Sequence, residues 1–275
     1  MPQETNLNVT PYYDDFDPAS NFHRVLFKPG TPVQARELTG LQSILQDQVE
    51  KFGTHFFKEG AKVIPGQLSY QDLFTGVTID PDFAGIPVSL YVEQLIGKRF
   101  RGEQSGIEAK IEFVLTANES AIGLNTLYFT ITKSGTDFES GDFVEGENLV
   151  LLESLSYGNT VISANQSFAT TSPLDCNITG SAANIQDGVY FLRGNFVTVN
   201  AQTILLQQYE SMPTLKVGLS VREEIVNADE DASLNDNAQG FSNYAAPGAD
   251  RLKISAVLTS KIIADDDDPN FVELM

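Results

Sequence analysis

Between Val88 and Glu153 the chain is cut into short alternating runs: VSLYVEQLIG, KRFRG, IEAKIEFVLTA, TLYFTITKSG and DFVEGENLVLLE. Gly102, Gly106, Gly123, Gly135 and Gly141 fall among them. A period of two puts apolar side chains on one face of an extended backbone, and glycine at regular intervals supplies turns, so this pattern calls for short antiparallel strands. A small β-barrel or sandwich module over 88–155 is the expectation. A second strand-rich stretch begins with DGVYFLRGNFVTVNAQTILL and resumes as TLKVGLSVREEIV, where Leu215, Val217, Leu219 and Val221 alternate with polar neighbours. DRLKISAVLTSKII alternates in the same way at Leu252, Ile254 and Val257. The fold class that follows is mainly β with one long N-terminal amphipathic α-helix.

That helix is marked at both ends. Thr31 fits an N-cap, Pro32 the first helical position and Gln34 the fourth place of a Thr-x-x-Gln capping box, while Gly53 stands where a left-handed C-cap belongs. Between them Val33, Leu38, Leu41, Leu45, Val49 and Phe52 recur three to five residues apart. Such a stripe covers either the core of its own domain or the matching stripe of another copy, although a coiled-coil register would place Gln48 in the seam.

Ahead of the helix runs an acidic, aromatic arm, YYDDFDPASNFHRVLFKPG. Tyr12, Tyr13, Asp14, Asp15, Phe16, Phe22 and Arg24 are its candidate contacts with a neighbouring protein. Carboxylates and aromatics placed before the first core element suit attachment better than catalysis. The expected order is an extended arm over 1–30, the helix over 31–53, a β domain formed by 54–87 and 184–264, the inserted module 88–155, a Ser/Thr/Asn-rich connector over 156–183, and an acidic linker with an apolar end over 265–275. FFKEGAKVIPGQLSY reads as two strands about a Pro-Gly turn, and the terminal FVELM as a piece that docks on a partner or leads into further sequence.

Composition narrows the function. A formal charge of −20 with 17 scattered Lys and Arg opposes nucleic-acid binding, because a phosphate backbone must be met by clustered cations. No run of 18 apolar residues spans a bilayer, and MPQETNLNVT lacks the basic and apolar regions of a secretory signal. The single cysteine, Cys176, reads as a small core or loop residue. His23 and His55 stand outside any metal-ligand pattern, and there is no P-loop, dinucleotide fingerprint or Gly-x-Ser-x-Gly elbow. Adjacent acids such as Asp14/Asp15 and Glu223/Glu224 point to opposite faces of a strand, which does not suit a glycosidase pair. In residues 228–240, Asp229, Asp231, Asp236 and Asn237 offer hard oxygens, but the EF-hand glycine and glutamate are missing; a solvated contact loop anchored by Phe241 and Tyr244 is the expectation. No catalytic residue, metal or cofactor is expected.

Four blocks together resemble a known family. YYDDFDPASNFHRVLFKPGTPVQARELTGLQSILQDQVEKFG, FKEGAKVIPGQLSY, DGVYFLRGNFVTV and DNAQGFSNYAAPGADRLKI are similar to an N-terminal domain of bacteriophage tail structural proteins, especially of phages infecting cyanobacteria. The resemblance implies a virion protein made in the host cytoplasm, at the baseplate or the root of a tail fibre, with other tail proteins as partners and a homotrimeric state. The expected function is to attach a fibre to the tail through arm and helix. Two rivals are a module that binds host glycans and, behind it, a glycan depolymerase. The absence of Trp weakens the first and leaves Tyr91 and Tyr128 as its stacking candidates.

Overall fold

The computed structural model describes residues 3–135, 141–210, 212–265 and 268–275. It is mainly β with a single α-helix among the described residues, Ala35–Phe56, and it divides into two compact units. Met1–Gln67, Gln186–Ala201 and Lys216–Met275 make the first, and Leu68–Ile185 with Gln202–Leu215 the second.

In the first unit the strands Lys62–Ile64, Gly188–Leu192 and Asn195–Val199 form one small sheet. The turn of its hairpin places Arg193 at φ +51° and Gly194 at φ +75°, the paired left-handed conformation whose twist matches two antiparallel strands. A second sheet has Leu215–Val226 at its centre, between Arg251–Ile262 and Phe271–Glu273. The apolar end forms an edge strand of this sheet, with Leu219 paired to Val272.

The helix starts three residues later than its sequence signals suggest. Glu37 accepts a hydrogen bond from the Gln34 backbone N–H at 2.9 Å, so Gln34 takes the cap that Thr31 was expected to provide. A carboxylate at the third helical position also answers the positive end of the helix dipole, an advantage Thr31 with Gln34 lacks. At the other end Gly53 lies inside the helix and buried, not at its C-cap. A β-carbon there would sit 2.3 Å from Cε2 of Phe191, so this glycine lets helix and sheet approach. Gly53→Ala gains helix propensity but forces the buried ring aside, and a net loss of about 1–2 kcal/mol is expected in chemical denaturation. Unchanged stability would mean that Phe191 yields freely.

The second unit is built on an eight-stranded antiparallel sheet. Its order is Ser167–Thr170, Asn148–Leu151, Arg99–Gly102, Glu108–Leu115, Asn125–Lys133, Leu68–Ile79, Asn177–Ile185, Gln202–Gln208. It curls until its first strand returns to Leu68–Ile79, but only an isolated Ile79–Thr171 bridge and two flanking hydrogen bonds of 2.9 Å join them. The ladder does not close into a barrel. The concave side holds Phe100, Ile111, Leu127, Phe129, Leu149 and Phe168, with Phe143 stacked 5.3 Å from Phe100. Phe74, Tyr128 and Ile178 form a smaller cluster of their own.

The domain limits differ from the sequence expectation in three places. Leu68–Ile79 belongs to the second unit, so the two strands around Pro65–Gly66 are not a hairpin but part company into different sheets. Gln202–Gln208 joins that unit as its edge strand. The stretch 156–183 is not a connector: it carries Thr160–Ile162, Ser167–Thr170 and Asn177–Ile185. Two of its polar residues, Thr171 and Ser172, are buried with their hydroxyls hydrogen-bonded to backbone, so they take core positions without adding to the apolar periodicity.

Candidate assembly surface

The helix buries one apolar side chain, Ile44 at 5% exposure, and turns most of its others outward. Leu38, Leu45, Val49, Phe52 and Phe56 lie on one stripe and are 51, 59, 40, 62 and 64% exposed, while Leu41 beside them is half-buried. Phe52 and Phe56 touch with ring centroids 4.8 Å apart, and His55 stands edge-on to Phe56. Toward its own unit the helix sends Gln46, whose amide donates to Gly194 O at 3.1 Å and to Asn195 Oδ1 at 2.8 Å, together with Gly53. Phe57, just past the last turn, meets Phe191 and Phe196 at 5.9 and 5.8 Å. A surface helix ordinarily turns its apolar stripe to the core, and exposed leucines and phenylalanines in one row mark a place where another protein sits.

The arm is fixed near its start and bare beyond it. Glu223 accepts four hydrogen bonds from the start of the arm: from the Glu4 N–H at 3.0 Å to one carboxylate oxygen and 3.2 Å to the other, from the Thr5 N–H at 2.8 Å and from the Thr5 hydroxyl at 2.5 Å. Arg193 lies 2.9 Å from Glu223 and 3.2 Å from Glu4, and also donates to the Asn270 side chain. The Arg193 and Glu223 side chains are only 3 and 4% exposed. Burial raises the Glu223 pKa, but the bonds from Thr5, the Glu4 backbone and Arg193 outweigh it, and the carboxyl is held below its ordinary value. Farther along, Tyr12 donates to Asp250 at 2.5 Å, and that bond raises its phenol pKa. Asp14 accepts from the Ser43 hydroxyl, and Arg36 meets Asp15 at 3.0 Å.

Of the arm residues expected to grip a neighbour, Tyr12, Asp14 and Asp15 are thus engaged within the chain. Phe16 is half-buried, its N–H donating to the Asp14 side chain at 3.3 Å. Tyr13, Phe22 and Arg24 are exposed, with Tyr13 at 60% and Phe22 at 72%. From Asn21 to Gln34 every residue but Val25 is exposed. No sequence motif announced the Arg193–Glu223 cluster. Glu223 and Glu224 do face opposite ways, Glu224 pairing with Arg222 and Lys253, but the buried partner of Glu223 stands thirty positions back in a hairpin turn.

The loop after Val226 is ordered by local bonds. Asp236 exchanges backbone hydrogen bonds of 2.9 Å with Ala245 and Ala246, and Asp231 caps the short turn Ala232–Leu234. Phe241 and Tyr244 stand out from it at 75 and 53% exposure. Among the described residues no three His, Cys, Asp or Glu side chains gather as a metal site. Cys176 is buried, and burial raises its thiol pKa. Tyr91 and Tyr128, the candidates for stacking on a sugar, are both buried, and the Tyr91 hydroxyl is spent on Phe168 O. They offer no platform for a ligand. No described helix is long and apolar enough to cross a membrane.

Residues 10–81 and 130–274 match the model of a family described as a domain of unknown function, DUF4815. The unmatched stretch between them falls within the second unit. No curated protein and no solved structure matches the chain significantly.

Proposed function

This chain belongs to the DUF4815 family, and we propose that it serves as a non-catalytic assembly subunit that associates with copies of itself through the outward stripe of the helix Ala35–Phe56. The observation that carries this reading is the outward apolar stripe of the helix: Gln46, Gly53 and the buried Ile44 serve its own chain while Leu38, Leu45, Val49, Phe52 and Phe56 face outward. Apolar area is the main favourable term in association, and a stripe of this kind is covered on both sides when two or three helices meet. The resemblance of the arm and helix to phage tail proteins supports a place in a virion, at the baseplate or fibre root, and a trimer as the stoichiometry.

Removal of the helix would also strip Phe191 of its contact, so the sharper test keeps it in place. Leu45→Asp with Phe52→Asp changes two exposed side chains and leaves Gln46 and Gly53 untouched. Light scattering is expected to show an oligomer, most simply a trimer, for the natural chain and a folded monomer for the double variant. A natural chain that is monomeric at every concentration would end the proposal.

A further inference from the structure

The exposed part of the arm differs in charge from the rest of the molecule. Residues 18–36 contain Arg24, Lys28 and Arg36 and neither Asp nor Glu, in a chain whose formal charge is −20. Arg36 is used by Asp15, whereas among the described residues Arg24 and Lys28 have no carboxylate partner. Interleaved with them are Phe22, Leu26 and Phe27, at 72, 77 and 50% exposure. Apart from the Arg36–Asp15 pair, the hydrogen bonds of this strap, among the described residues, are local ones, such as Thr31 N–H to Lys28 O at 3.2 Å and the small turn capped by Asp17. It is a cationic, aromatic ribbon with no core of its own.

The opposite character is gathered in the loop 227–250. It carries Asp229, Glu230, Asp231, Asp236 and Asp250 and no Lys or Arg, with Phe241 and Tyr244 exposed beside them. We propose that the strap around Arg24 and Lys28 docks on this acidic aromatic loop in a second copy of the chain. Charge complementarity selects the partner, since a surface of net negative charge repels its copies except where a positive segment meets it. The aromatic and aliphatic side chains on both sides supply apolar area that salt does not screen. Strap and loop are different surfaces, so the contact is heterologous and closes as a ring when the copies also meet about one axis. The inference rests on self-association through the helix stripe and adds a second, outer contact to it.

The test uses the full chain. Arg24→Glu with Lys28→Glu is expected to raise the dissociation constant of the oligomer at least tenfold, and Asp229→Lys with Glu230→Lys to do the same. Combining all four substitutions reverses both surfaces and is expected to recover most of the affinity. Carbodiimide treatment of an equimolar mixture of light and isotopically heavy chains should link Lys28 to Asp229 or Glu230 in mixed-isotope pairs. An oligomer with unchanged affinity in the Arg24/Lys28 variant, or crosslinks confined to single copies, overturns the docking contact while leaving the helix interface standing. A natural chain that never associates overturns both.

Discussion

Replacing Glu147 with alanine is expected to cost the second unit about 3–5 kcal/mol, since it removes three partly buried hydrogen bonds to a charged acceptor, each worth about 1–3 kcal/mol. Glu147 is fully buried, and its carboxylate accepts from the Gln104 N–H at 2.8 Å, the Ser105 N–H at 3.0 Å and the Val144 N–H at 2.7 Å. Three backbone donors from two loops thus converge on one side chain. Glu147→Gln is expected to fail nearly as badly, because Oε1 and Oε2 both receive N–H groups and an amide nitrogen at either place would face a donor. Gly102 belongs to the same arrangement: a β-carbon there would stand 2.7 Å from Glu147 Oε2. Hydrogen exchange across 68–185, which reports opening of that unit, is the measurement. Glutamine protecting as well as glutamate would show that the carboxylate is no more than a space filler.

The second large effect lies at Glu223. Glu223→Leu leaves the Arg193 guanidinium buried with only the partly exposed Glu4 as counter-charge, and the expected loss is about 3–5 kcal/mol. Adding Arg193→Met should return much of it, because an apolar pair of similar size no longer carries an unbalanced charge. The same site predicts a pH dependence. The folded pKa of Glu223 lies below its ordinary 4.5, so the stabilisation is present above that value and is lost as the pH falls through the lowered one. Glu4 and Thr5 should then release, and hydrogen exchange at their amides would accelerate on acidification while the sheet holding Leu219 stays protected. Release of those amides at neutral pH with no acid dependence would sever the link to Glu223.

Periodicity made the helix legible, and turn glycines made the short strands legible, because both are local signals. What escaped was decided by contacts far apart in the chain. Gly53 carries the local mark of a helix end, yet Phe191 explains it. Thr31–Pro32 looks like a helix start, yet Gln34 and Glu37 form the box that begins it. Gln202–Gln208 lies between two segments of the first unit and still pairs with Asn177–Ile185 in the second, a register no spacing rule foretells. In the assembly surface, the stripe residues could be read from sequence but not the direction they face. Direction followed only once Gln46 was seen bonded to the Gly194–Asn195 turn. The Glu4, Thr5, Arg193 and Glu223 cluster left no trace in the sequence, since its members come from three distant segments.

One strand, Leu215–Val226, fastens both ends of the described chain. Glu223 grips Glu4 and Thr5, while Gly218, Leu219 and Ser220 pair with Phe271–Glu273 and Val221 N–H bonds Asn270 O at 2.8 Å. A pull applied to the two ends is therefore carried across a few residues of a single strand. The load passes through hydrogen bonds and one buried ion pair in the first unit, and the eight-stranded sheet stays off its path. Tension would detach a terminal clip before it strained that sheet, so the second unit is mechanically sheltered by the place where the ends are tied.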